Sequence, residues 1–292
     1  MGWWTWGDSN PRPRRCERRA LPTELHAHTE GHLQYNMMAT GDLSAQLEKM
    51  QRDWDARARE NARFYVNTER PDWNDEEFFQ SGERTVAEEI FTDMINICQG
   101  KHPKRMAVLE IGCGAGRVTR ALAQVFGQVY GVDISGEMVR QARAALADLP
   151  NVHIFQNNGK DLAVLGKTHF DFAFSSIVFQ HIPSREVIES YVRDVHRLLR
   201  RGRLFKFQVQ GGVTYDIPPG DTWLGVTISE QDAREMALRC HFEMRYSYGA
   251  GTQYFWLWFF KPRSDWWFRA EHALRAAYRR GHARLARMRK GG

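Results

Sequence analysis

Val108-Leu-Glu-Ile-Gly-Cys-Gly-Ala-Gly116 is the stretch on which the fold turns. Apolar residues around one acid, followed by glycines at 112, 114 and 116, describe a buried parallel strand that breaks into a tight turn and opens a helix. Glycine is required there because a Cβ would block a ligand's approach and because such a turn needs φ > 0. Tyr130-Gly-Val-Asp133 follows as a second strand ending in a carboxylate, 21 residues after Gly112. That is the distance at which a βαβ unit delivers an acid to a ribose diol. A nucleoside ligand is therefore expected.

A dinucleotide fingerprint would need a third glycine where Arg117 stands, and it sets a pyrophosphate on the helix N-terminus, where Glu110 would be an unfavourable neighbour. The turn reads Glu-x-Gly-x-Gly-x-Gly instead. It resembles motif I of class I S-adenosylmethionine-dependent methyltransferases, whose cofactor carries a sulfonium and an ammonium that a carboxylate favours. The resemblance continues through Asp133-Ile-Ser-Gly-Glu-Met138, Asn157-Asn-Gly-Lys-Asp-Leu162, Phe170-Asp-Phe-Ala-Phe-Ser-Ser176 and Gln180-His-Ile-Pro183, and spans residues 76–262. It implies S-adenosyl-L-methionine as cofactor, with Asp133 on the ribose hydroxyls and Ile134 and Met138 against the adenine. Asp161 and the Leu162 backbone would read the adenine edge, in the loop that contains Gly159. Gly112, Gly114 and Gly116 would line the methionine portion above Glu110, and Ser175 would border the sulfonium.

The alternation of strands and helices is that of a parallel sheet covered on both faces. Strands are expected near 106–111, 128–133, 152–156, 169–175, 203–210, 242–248 and 253–260, and helices near 116–126, 135–148, 184–200 and 229–240. Gly249-Ala-Gly251 is too short for a crossover, so the last two strands must form a hairpin and the seventh runs antiparallel. Tyr254-Phe-Trp-Leu-Trp-Phe-Phe260 is apolar on both faces and belongs inside the sheet. The expected fold is thus α/β, a seven-stranded, mostly parallel, Rossmann-like methyltransferase sheet with an antiparallel last strand. Where the resembled family has paired glycines before its fifth strand, this chain has Arg201-Gly202-Arg203, and a changed turn is expected.

Four segments follow: a non-native or disordered extension over 1–36, a helical lid over 37–100, the cofactor-binding domain over 101–262 and a basic amphipathic tail over 263–292. In the lid, Leu43, Leu47, Met50 and Trp54 repeat at helical spacing, as do Val86, Ile90, Met94 and Ile97. Phe64-Tyr-Val-Asn-Thr68, Trp73 and Phe78-Phe-Gln-Ser-Gly-Glu83 read as an aromatic loop between them, either lidding the cofactor or packing on the sheet edge. Residues 1–36 resemble an antisense tRNA translation. Asp8-Ser-Asn-Pro11 and Ala20-Leu-Pro-Thr-Glu-Leu25 back-translate to the complements of a T-arm and a D-arm, so Met37, Met38 or Met50 is expected as the natural start. His26, His28 and His32 lie in that segment, and no metal site is expected.

The formal net charge is +6, but residues 261–292 hold ten Lys or Arg against Asp265 and Glu271, so residues 1–260 carry −2. A near-neutral body lacks the basic footprint of a nucleic-acid enzyme. The stretch after the fourth strand, Ser175-Ser-Ile-Val-Phe179, also lacks the Asn/Asp-Pro-Pro-aromatic turn of amino-methylating nucleic-acid enzymes. A small-molecule or metabolite acceptor, methylated on O or N, is the favoured reading. The alternatives are an RNA methyltransferase and a non-catalytic cofactor-binding protein recruited by its tail. Within 265–290, Trp267, Leu274, Tyr278, Leu285 and Met288 share one helical stripe, suited to an anionic membrane surface, to an acidic partner or to solvent alone. The cysteines at 16, 98, 113 and 240 show no framework spacing, which points to a reducing, cytoplasmic compartment.

Methyl transfer from a sulfonium asks the protein to align the nucleophile and exclude water. His181, just beyond the fourth strand, is the titratable side chain placed to accept an acceptor's proton, and helix capping or packing is the alternative role. Tyr65, Gln180 and Trp223 are further pocket candidates.

Overall fold

The computed structural model describes residues 43–212 and 222–264. The antisense-like extension and the apolar stripe of the tail lie outside the described residues. Seven strands, β1 (Ala107–Ile111), β2 (Gln128–Asp133), β3 (Val152–Gln156), β4 (Phe170–Ser175), β5 (Leu199–Val209), β6 (Glu243–Tyr248) and β7 (Phe255–Phe260), form one sheet in the order β3-β2-β1-β4-β5-β7-β6. The first five are parallel, and β7 runs antiparallel to both β5 and β6. The hairpin reading of Gly249–Gly251 and the interior place of the Phe255–Phe260 run are thereby met.

Helices α4 (Arg117–Val125), α5 (Gly136–Ala145), α6 (Arg185–Leu198) and α7 (Glu230–Arg239) cover the sheet. Each of the last three starts on a serine that accepts a backbone N–H from its first turn: Ser135 from Met138, Ser184 from Val187 and Ser229 from Asp232. Two apolar layers result. Leu109, Ile111, Val132, Phe179, Phe205 and Phe207 belong to one, and Val108, Val118, Leu122, Phe126, Phe172 and Phe174 to the other. The chain goes from β1 outward to β2 and β3, then returns to β4 on the other side of β1. The crevice beyond the carboxyl ends of β1 and β4 is therefore the topological switch point, where an open α/β sheet binds ligands.

The N-terminal helices depart from expectation. α1 (Leu43–Val66) extends through Phe64 and Tyr65, with one non-helical residue at Asn61. α2 (Asp75–Glu89) contains Phe78-Phe-Gln-Ser-Gly-Glu83, which the sequence reading placed in a loop. The buried face of α2 is Phe78, Ser81, Gly82, Thr85 and Val86, so small and polar residues hide the helical period. Gly82 is there because α2 crosses α4 closely: a Cβ would stand 2.0 Å from the Arg117 carbonyl oxygen. The second expected helical run also breaks after Glu89, into a short 3-10 turn at Phe91–Asp93 and then α3 (Met94–Cys98).

At Arg201-Gly202-Arg203 the turn is indeed changed. α6 ends at Leu198 and β5 begins at Leu199, so no separate loop exists. Gly202, at φ +75, sits within the strand, and its N–H donates to the Lys261 carbonyl. Among the described residues, no helix is long and apolar enough to cross a membrane.

Candidate active site

A cleft enclosing about 900 Å³, its open mouth included, lies over the carboxyl ends of β1, β2 and β4. Its floor is the glycine turn. Gly112, Gly114 and Gly116 all have positive φ, and a Cβ on Gly112 would stand 2.1 Å from Cγ2 of Val178. Gly112 and Cys113 both donate their N–H to the Val132 carbonyl, which binds the turn to the end of β2.

Asp133 closes the other side. Its two carboxylate oxygens accept the N–H groups of Gly114 and Ser135, each at 2.9 Å, so the side chain is aimed before any ligand arrives. Desolvation pushes its pKa up to about 6, against the lowering effect of those two donors. Glu110 is 5 % exposed, accepts the Thr119 hydroxyl at 2.6 Å and is pushed up to about 8 by burial. The cleft is thus bounded by two acids whose ionised forms burial makes costly, the neighbouring Arg117 easing Glu110 only in part.

Cleft-lining residues include Glu110, Gly112, Gly114, Asp133, Ile134, Met138, Tyr65 and His181. Gly116 opens α4 below the cleft, with a Cβ position against Leu146. Gly159, at φ +74, lets the loop after β3 close on Ile134.

Three expected cofactor contacts lie elsewhere. Ser175 is fully buried and its hydroxyl donates to the Ile111 carbonyl, so Ser176, the next residue, takes its place on the cleft wall. Leu162 is a core residue whose N–H donates to Asp194 at 2.7 Å, and Asp161 accepts the Ala163 N–H within its own turn. The polar group that the end of β3 presents to the cleft is Asn157. It is 8 % exposed, its amide nitrogen donates to the Tyr191 hydroxyl at 2.7 Å, and its Oδ1 meets no donor among the described residues.

His181 lies on a 3-10 turn (Phe179–His181) and is 5 % exposed. Its ring meets Trp54 edge-on at 5.1 Å and lies 5.1 Å from Trp223. Nδ1 contacts the Trp223 carbonyl oxygen and Nε2 lies 3.3 Å from Nε2 of Gln180. Met50, Trp54, Tyr65 and Val66 bring α1 over the cleft, and Asp55 fastens that helix to α5 by accepting the Ser135 hydroxyl and the Glu137 N–H.

Ile177, on the cleft wall, was not foreseen. It is β-branched and stands at φ +59, a conformation such residues avoid. Its N–H donates to the buried side chain of Gln208. Nothing in the sequence signals this strain, since residue type argues against it.

Residues 108–202 match the family described as a methyltransferase domain. The malonyl-[acyl-carrier protein] O-methyltransferase of Magnetococcus marinus is 31 % identical over 116 residues, covering 39 % of this chain and 41 % of that one. A ubiquinone biosynthesis O-methyltransferase of Xanthomonas oryzae is 30 % identical over 96 residues, 32 % of this chain and 39 % of that one. The chain thus spans about two fifths of the length of these curated relatives. Among solved structures, magnesium protoporphyrin IX methyltransferase from Synechocystis, with bound S-adenosylhomocysteine, gives a TM-score of 0.53 at 19 % identity, covering 72 % of this chain and 97 % of that one. That last likeness is one of fold.

Proposed function

We propose that this chain, which over residues 108–202 belongs to the methyltransferase-domain family, transfers a methyl group from S-adenosyl-L-methionine to an oxygen or nitrogen of a small-molecule acceptor. The observation that carries the reading is the pre-aimed Asp133 beside the glycine turn and above the buried Glu110. The residues fit such a cofactor. Asp133 keeps lone pairs for two hydroxyls, Glu110 would gain a cation that offsets its burial, and the buried Oδ1 of Asn157 would accept an N–H of the adenine. When bound, the cofactor supplies an electrophilic methyl on a sulfonium.

The protein's own work is then alignment, dehydration and proton removal. Trp54, Met50 and Tyr65 of α1, with Ile177 and Val178, wall the cleft and keep water from the nucleophile. His181 takes the proton that the acceptor loses as it is methylated. Relatives named as O-methyltransferases, one of malonyl-[acyl-carrier protein] and one of ubiquinone biosynthesis, support an oxygen acceptor.

The test uses methyl-labelled S-adenosylmethionine with the purified chain, a small-molecule extract and, in parallel, total RNA. Label is expected in the small-molecule fraction, together with S-adenosylhomocysteine. Label confined to RNA, or in neither fraction, would overturn the assignment.

A further inference from the structure

The strained turn after β4 and the proton-accepting histidine are joined by a chain of hydrogen bonds whose direction can be followed from end to end. It starts at the Ile177 N–H, which can only donate, and its acceptor is Oε1 of Gln208 at 2.8 Å. Gln208 lies on β5 and is wholly buried, so its amide is fixed with the nitrogen on the opposite side. That nitrogen donates to Oε1 of Gln180 at 2.7 Å and to the Gln253 carbonyl at 3.0 Å. The Gln180 amide is thereby fixed in turn, with its NH2 toward Nε2 of His181, 3.3 Å away. At the far end the Trp223 carbonyl can only accept, so Nδ1 of His181 must carry the ring proton.

Both ends therefore demand the same species, a neutral imidazole protonated at Nδ1, with its lone pair on Nε2. We infer that Gln208 and Gln180 are positioning residues that hold His181 as this tautomer and so make Nε2 the atom that receives the acceptor's proton. The inference rests on the reading of His181 as proton acceptor given above. At 3.3 Å the Gln180 contact is long for a hydrogen bond, so an incoming O–H or N–H displaces it at little cost. Once Nε2 is protonated it faces the Gln180 NH2 donor to donor, which drives the ring back to neutrality when the product leaves. The charged and titratable groups of the cleft and of the aromatic cluster about the ring are Asp53, Arg57 and Tyr65 of α1, Glu110 and Asp133 at the ends of β1 and β2, Arg117 of α4, and Tyr191 of α6.

The experiment is long-range proton–nitrogen NMR on the full chain labelled at histidine nitrogens, with His153 on the edge strand β3 as internal reference. His181 is expected as the Nδ1-protonated tautomer. Gln180→Glu replaces the donor by an acceptor of opposite charge, so the His181 titration midpoint should rise by about 1 to 3 pH units while His153 stays in place. Gln208→Met should leave Gln180 unoriented, free to turn its oxygen toward Nε2, and so should also raise the His181 midpoint. If Gln180→Glu does not fold, Gln180→Met removes the donor without adding charge and should also raise the midpoint. An Nε2-protonated parent, or a midpoint unmoved by both Gln180 variants, overturns the inference. Neither cofactor nor acceptor is needed, so this result stays readable if the chain fails to bind S-adenosylmethionine, and failure here leaves methyl transfer standing.

Discussion

Glu110 and Asp133 are held in the folded chain in a setting that favours their protonated forms, because burial raises the first to about 8 and the second to about 6. Their ordinary values are 4.5 and 3.8. The stability they contribute is therefore complete below about pH 4 and is lost as pH climbs through 6 for Asp133 and then 8 for Glu110. Melting temperature should fall from about pH 4 to pH 8, and Glu110→Gln, which mimics the protonated carboxyl toward Thr119, should flatten the upper part of that fall. A mutant whose profile matches the parent's would remove Glu110 as the cause. A cationic ligand reverses the preference, so affinity for S-adenosylmethionine should strengthen over the same upper range. At this scale Glu110, the glycines and Asp133 were legible in the sequence, because each is a residue type the turn or the charge requires. Ile177, Asn157 and Gln208 were not, since strain, an unmet acceptor and an amide's orientation exist only after folding.

Among the elements, most strands were readable within two residues because they are apolar runs punctuated by glycine, acid and serine caps, whereas β5 begins at Leu199, four residues before the expected 203. β1, β2 and β3 begin or end within a residue of expectation. The miss at α2 has one cause. α2 buries Ser81, Gly82 and Thr85 where a periodic helix would show large apolar residues, and Arg117 reaches across to the Ser81 carbonyl and the Thr85 hydroxyl at 3.0 Å each. Close helix contact was bought with small side chains, and small side chains carry no hydrophobic period. Ser175, Asp161 and Leu162 do not line the cleft for another reason, because facing it depends on which way a strand end or loop turns. Gly82→Ala tests the helix contact. With backbone 2.0 Å from the new Cβ, α2 and α4 must separate, at a cost of about 1 to 3 kcal/mol, read as a lowered denaturant midpoint. An unchanged midpoint would mean that the two helices do not meet in this way.

At the scale of the described chain, the order β3-β2-β1-β4-β5-β7-β6 places a crevice where the glycine turn, Asp133 and the β4 loop converge, and α1 roofs it with Trp54 and Tyr65. The central claim is that this crevice is built for S-adenosylmethionine and not for a dinucleotide. Isothermal titration of the full chain with S-adenosylmethionine, S-adenosylhomocysteine and NAD, repeated on Asp133→Ala, tests it most directly. The account predicts binding of the first two and not the third. The variant should lose about 30- to 150-fold in affinity, corresponding to roughly 2 to 3 kcal/mol for a charged two-point contact with the ribose. Binding of NAD by the parent, or equal S-adenosylmethionine affinity in a folded Asp133→Ala, would contradict it.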